Sequence, residues 1–138
     1  MTAEQTEVRY EGVYCTMLIQ QLDHQVVLLK ITGTDIGEFG RAPMQSIENV
    51  LDPVNPIDLY IDASGVRGAS IDVSGDWAIW LSRNKTALRT VTMLTGSRFI
   101  RLTADFVRRF ANLHDVMKIS REPALFDEML EERLRARH

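Results

Sequence analysis

Little in this sequence could hold the chain together from outside its own core. It contains one cysteine, Cys15, so no intramolecular disulfide can form, and the composition fits a reducing compartment in which that thiol packs as a small apolar group. No apolar run approaches the ~20 residues needed to span a bilayer. The start, Met1-Thr2-Ala3-Glu4-Gln5, does not show the basic and then apolar order of a signal peptide. A soluble cytoplasmic protein is therefore expected. Histidine is scarce too: His24, His114 and His138 fall in a hairpin, at a helix end and at the last position, none beside a nucleophile motif. Gly-x-Ser-x-Gly is absent, no His, Cys or Asp cluster has metal-ligand spacing, and the Gly33 to Gly40 stretch lacks the Lys and Ser/Thr of a phosphate-cradling loop. Asp62 and Asp72 are the remaining acid/base pair to consider, and a strand-ending Asp more often bonds loop amides. We expect no enzyme activity and no cofactor.

What is present is an ordinary globular composition, 45% apolar and 25% charged over 138 residues. That suits a single domain spanning 1–138, large enough to bury roughly two thirds of the surface exposed by its unfolded chain. Charge is unevenly distributed. Residues 1–62 carry 3 basic and 10 acidic side chains, whereas residues 63–138 carry 13 basic and 9 acidic ones. Arg83, Lys85, Arg89, Arg98, Arg101, Arg108 and Arg109 make the most basic stretch, with Asp105 the acid nearest in sequence.

Periodicity orders the elements. Val8 to Ile19 and Val26 to Thr32 read as two strands, and Pro43 is placed to open a helix with Met44, Ile47, Val50 and Leu51 on one face. Strand and helix then alternate: strand 57–63, helix 74–88, strand 91–95, helix 103–113, strand 116–119 and helix 123 to about 135. Trp77 and Trp80 fall at core spacing, as do Phe106, Val107, Phe110 and Leu113. In the last helix Leu125, Phe126, Met129, Leu130 and Leu134 face inward, with Arg133 among the outward residues. The order β-β-α-β-α-β-α-β-α implies a mixed α/β fold with a partly parallel sheet, because parallel neighbours need a crossover that a helix supplies.

Sites on such sheets lie beyond the carboxyl ends of parallel strands. The first loop there holds Asp62, Ser64, Gly65, Asp72 and Ser74, with Ser74 a candidate N-cap. The second, Thr95-Gly96-Ser97-Arg98, leads to Thr103, another candidate cap. Free N–H groups at helix starts favour anions, so Ser97, Arg98 and Arg101 are candidate contacts for an anionic group.

The residues Leu59-Tyr60-Ile61-Asp62-Ala63-Ser64-Gly65-Val66, followed by Ser70-Ile71-Asp72-Val73-Ser74-Gly75-Asp76-Trp77, resemble the STAS domain of bacterial anti-sigma factor antagonists over about residues 26–135. The matches around Trp77, Met93 to Phe99 and Leu102 to Phe110 are similar to its looser STAS/SEC14-like branch. The resemblance implies a STAS-like fold and a regulatory domain that acts by protein-protein interaction, with an anti-sigma or kinase-type partner docking over the helix near Asp72, Ser74, Gly75 and Asp76. It also places the phosphorylated Ser or Thr directly after the helix-opening Asp. Here that position is Val73, so Ser74 is the displaced candidate. Two alternatives remain: a small-ligand or lipid-binding module whose acidic group meets Arg98 or Arg101, and anionic-polymer binding through Arg83 to Arg109. Nucleic acid is not the expected partner, since neither an RNP-type aromatic strand nor a recognition helix is recognisable.

Overall fold

The computed structural model describes residues 6–136; the first five residues, Arg137 and His138 lie outside them. The first apolar stretch forms two strands where one was expected. β1 (Thr6–Glu11) and β2 (Cys15–Asp23) pair antiparallel, and β2 pairs antiparallel with β3 (Val26–Asp35). The break at residues 12–14 is fixed from a distance. The Glu38 carboxylate accepts from Val13 N–H at 2.7 Å and Tyr14 N–H at 3.0 Å, while Gly12 N–H closes the turn on Cys15 O at 2.9 Å. On β3, Gly33 has φ +88, and a Cβ there would lie 2.2 Å from Tyr14 O, so no other residue fits this crossing.

From β3 onward the sheet grows in one direction. β4 (Ile57–Ala69), β5 (Leu88–Leu94) and β6 (Met117–Ser120) are added as parallel neighbours, giving six strands in the order β1-β2-β3-β4-β5-β6. The crossovers are α1 (Ala42–Glu48), α2 (Ile71–Asn84) with a 3-10 turn (Lys85–Ala87), and α3 (Arg98–Phe110). All three bury their apolar residues on the same sheet face: Ile47, Ala78, Trp80, Leu81, Ile100, Ala104 and Val107 share one core with Leu29, Leu59, Ile61 and Val91. The other face is covered by α4 (Pro123–Arg135), whose Phe126 packs against Val26, Tyr60 and Leu94. Its ring meets Tyr60 edge-on at a centroid separation of 5.9 Å. The mixed α/β class therefore holds, with one more strand than expected.

Several boundaries move, each for a local reason. The Asp62-Ala63-Ser64-Gly65 segment lies inside β4 as a bulge, since Lys30 and Thr32 of β3 pair with Asp62 and Gly65. Asp62 Oδ1 accepts from Ser64 N–H at 3.0 Å and Ser64 Oγ–H at 2.6 Å. β4 then continues to Ala69 alongside β3, past its last partner on β5. α2 ends at Asn84, and Leu88 opens β5. α3 stops at Phe110 because Asn112 adopts φ 56, with Asn112 N–H on Arg109 O and Leu113 N–H on Arg108 O closing a Schellman turn.

The second face depends on a buried charge. Asp58 is 1% exposed. Its carboxylate accepts from Arg89 Nε at 3.0 Å, Arg89 Nη2 at 2.6 Å and Thr90 Oγ1 at 2.6 Å, and from Arg133 of α4. Arg133, read as outward, thus points inward to the carboxylate. Burial raises the Asp58 pKa, but hydrogen bonds from Arg89, Thr90 and Arg133 outweigh it and hold the carboxyl below its ordinary value of 3.8. At the outer edge, Glu7, Arg9 and Glu11 of β1 are exposed; at the opposite edge β6 is four residues long with Lys118 outward. Removing one member of such a buried pair leaves its partner charge uncompensated, so Asp58→Ala is expected to cost about 3 kcal/mol in urea unfolding at pH 7. Because the folded pKa is lowered, the Asp58 contribution is present above 3.8 and lost as pH falls through the folded value. The gap between wild type and Asp58→Asn should accordingly narrow below pH ~4.

Candidate functional site

Residues expected in a loop open a helix instead. Ser70 is the N-cap of α2, its side chain accepting from Val73 N–H at 3.2 Å. Ser74 lies a turn inside, where its hydroxyl donates to Ser70 O at 3.0 Å, so it is not the cap. Asp72 and Asp76 stand exposed on the outer side of the first turns, and Val73 is buried. In α3 the cap is Ser97, which accepts from Ile100 N–H at 3.2 Å, while Thr103 is mid-helix and donates to Phe99 O. Asp62 and Asp72 are separated by the sheet. Asp62 follows Tyr60 on the face that carries α4, whereas Asp72 starts a helix on the other face. They form no acid/base pair.

The seam between α2 and α3 was not foreseen. Phe99, Leu102, Phe106 and Phe110 of α3 are each more than half exposed, as is Ile71 of α2, with Ile79 close behind. Phe106 and Phe110 had been read as core. These side chains wall a groove of about 480 Å³ whose floor includes Ser74, Gly75, Ala78 and Thr103. Beneath it lies an apolar cavity of about 100 Å³ bounded by Leu29, Ile61, Val73, Trp77, Met93 and Val107, and Ala69, Ser74 and Thr103 line both spaces. The signal lay in the α3 sequence: apolar side chains at Phe99, Ile100, Leu102, Ala104, Phe106, Val107 and Phe110 exceed the single stripe a core-facing helix needs.

The arginines divide. Arg98 and Arg101 line a separate hollow with Gly96 and Arg121. Arg89 is committed to Asp58, and Arg108 and Arg109 to Asp105. The basic stretch therefore does not make one continuous track.

Below the start of α2, Asp35 is buried, accepting from Gly37 N–H at 3.1 Å, while its backbone carbonyl accepts from Ser70 N–H at 3.0 Å. Burial raises its pKa against the lowering bonds from Gly37 and Trp77. Cys15 is pushed up to about 11 by burial, then by Asp35 and Glu38, which keeps its thiol protonated and poorly nucleophilic at neutral pH. Among the described residues no three His, Cys, Asp or Glu side chains gather as metal ligands, and no helix is long and apolar enough to cross a membrane.

This arrangement of a six-stranded, mostly parallel sheet flanked by helices is STAS-like. A solved structure it is similar to is an uncharacterised protein of the DUF3478 family with a SpoIIAA-like fold, from Shewanella loihica PV-4. The two share 13% identity at a TM-score of 0.62, over 94% of this chain and 98% of that one. At that identity the likeness concerns the fold. No family model and no curated protein matches the sequence.

Gly75 interrupts α2 where a Cβ would meet nothing within 4 Å. A helical glycine costs about 0.5–1 kcal/mol relative to alanine. Gly75→Ala is expected to raise stability by about that amount in chemical denaturation.

Proposed function

We propose that the protein is a non-enzymatic regulatory or adaptor domain that receives an apolar element of a partner protein in the seam between α2 and α3. The observation that carries this reading is the run of exposed Phe99, Leu102, Phe106 and Phe110 facing Ile71 and Ile79 across a floor of small residues. Contiguous exposed apolar surface on a soluble domain marks an interaction site, and aromatic anchors dominate binding energy where they are desolvated. Gly75 and Ala78 let a partner backbone approach closely. Asp72 and Asp76 stand exposed on the same turns of α2 as Ile71 and Gly75, so a partner with basic residues flanking its apolar anchors fits best. The STAS-like fold supports a regulator of the anti-sigma or kinase type as that partner. Ser74 is the residue through which phosphorylation would act: about two negative charges on the groove floor would disfavour an apolar occupant. A cytoplasmic setting accords with the unpaired Cys15.

The cavity below the groove favours a second reading, a small-ligand module of the SEC14-like kind. Its size limits that idea. An engineered cavity of roughly 150 Å³ holds benzene, so the 100 Å³ here accepts a side chain or a few methylene groups, not a lipid.

Capture from a lysate of the source organism, using wild type, Leu102→Glu, Phe106→Glu and Arg9→Gln on the far edge strand β1, tests the first reading. A protein partner lost with both groove variants and kept with Arg9→Gln is expected, with unchanged circular dichroism. A partner set indifferent to the groove variants would overturn it. Native mass spectrometry of fresh protein tests the second: a reproducible bound small molecule, absent from Phe106→Glu, would favour a carrier.

A further inference from the structure

α3 has two chemically different flanks. Phe99, Leu102, Phe106 and Phe110 face the seam with α2, whereas Arg98 and Arg101, rotated by 100° per residue about the helix, border a hollow of about 250 Å³ completed by Gly96 and Arg121. The hollow lies where two adjacent parallel strands end, since Gly96 follows β5 and Arg121 follows β6. That is the rim at which open α/β sheets bind ligands.

Three arginines line this space, and no acidic residue does. None of the three side chains makes a hydrogen bond or ion pair among the described residues. The contrast with other arginines is direct: Arg89 and Arg133 pair with Asp58, Arg108 and Arg109 with Asp105, and Arg135 with Glu131. Like charges gathered without a counterion repel, and an anion among them removes that cost. The backbone holding them is tied. Thr95, fully buried, donates its N–H to Ser120 O at 2.9 Å and accepts Ser97 N–H on Oγ1 at 3.2 Å, which joins the segment carrying Arg98 to the one carrying Arg121.

We propose that Arg98, Arg101 and Arg121 form a binding site for a phosphoryl group, carried by a soluble phosphomonoester or by a lipid headgroup. Three forked donors match a dianion with several acceptor oxygens better than a single carboxylate. The volume is below the roughly 300–1,000 Å³ of pockets that enclose whole small molecules, so the site grips the charged end of its ligand. Ser97, expected to touch the anion, instead spends its oxygen on the helix cap. The site does not depend on the groove across α3.

The test uses the full chain. Inorganic phosphate is titrated at constant ionic strength while amide shifts of Gly96, Ser97 and Arg121 are followed by NMR. In parallel the protein is sedimented with phosphatidylcholine vesicles, plain or containing phosphatidic acid. Saturable phosphate shifts point to the soluble source, and sedimentation with phosphatidic acid vesicles alone points to the headgroup. In either case Arg98→Gln and Arg121→Gln each weaken binding by roughly tenfold or more, and Arg67→Gln does not. Phe106→Glu, the groove variant that places no new carboxylate three or four residues from Arg98 or Arg101, leaves the phosphate shifts unchanged. The absence of both saturable shifts and vesicle selectivity, or binding indifferent to Arg98→Gln and Arg121→Gln, overturns the proposal.

Discussion

Val26 to Lys30 and Asp58 to Asp62 run side by side in the same direction, and strands so paired cannot be joined by a tight turn. The chain must cross over, and it does so with α1. It repeats the operation twice in the same direction across the sheet, which lays α1, α2 and α3 together on one face. The other face is left to whatever follows β6. α4 is that element, and its apolar cover is modest: Phe126 is its one fully buried side chain. Asp58 compensates by linking the start of β4 to Arg89 on β5 and Arg133 on α4. A buried carboxylate with this many donors is costly to assemble and costlier to break, so it fixes where α4 sits more than it adds net stability.

The same geometry generates the candidate sites. Helices laid side by side over consecutive parallel strands meet along seams, and a seam is closed only as far as side chains fill it. Between α1 and α2 the filling is ample, with Trp80 buried and its indole N–H donating to Glu48 at 3.1 Å. Between α2 and α3 it is not, because α2 offers Ser74, Gly75 and Ala78 there while α3 turns its phenyl rings outward. Beyond α3 the sheet ends, and the arginines occupy the last concavity. Apolar and cationic surfaces thus lie on neighbouring flanks of one helix.

How much of this was legible in the sequence varies with the range of the interactions involved. Helix-period and strand-period patterns after residue 57 gave the right element types in the right order, because each element buries one face. The errors came where a distant residue decides. Nothing near Gly12 predicts that Glu38 will hold the turn amides, so β1 and β2 read as one strand. Asp62 to Gly65 looked like a loop because its turn chemistry is genuine, yet pairing with β3 keeps it in the sheet as a bulge. Ser74 read as the cap, but Ser70 takes that place because the chain leaves β4 only at that point. For the sites, the helix expected from residue 74 begins earlier, at Ile71, and the pair Arg98 and Arg101 had been singled out from the sequence. The exposed flank of α3 and the contribution of Arg121 required the arrangement of helices to be known.

The outer strands bear on how the molecule meets its own kind. Exposed strand edges are templates for pairing with another chain, and natural sheets blunt them with charge or brevity. β1 does the first, with Glu7, Arg9 and Glu11 along its exposed side, and β6 does the second with four residues and an outward Lys118. Sheet-to-sheet growth is therefore discouraged at both ends. Edges that recruited as well would compound the exposure of aromatic side chains, and here the edges are blunted by charge and brevity while the run of exposed phenyl rings lies on α3.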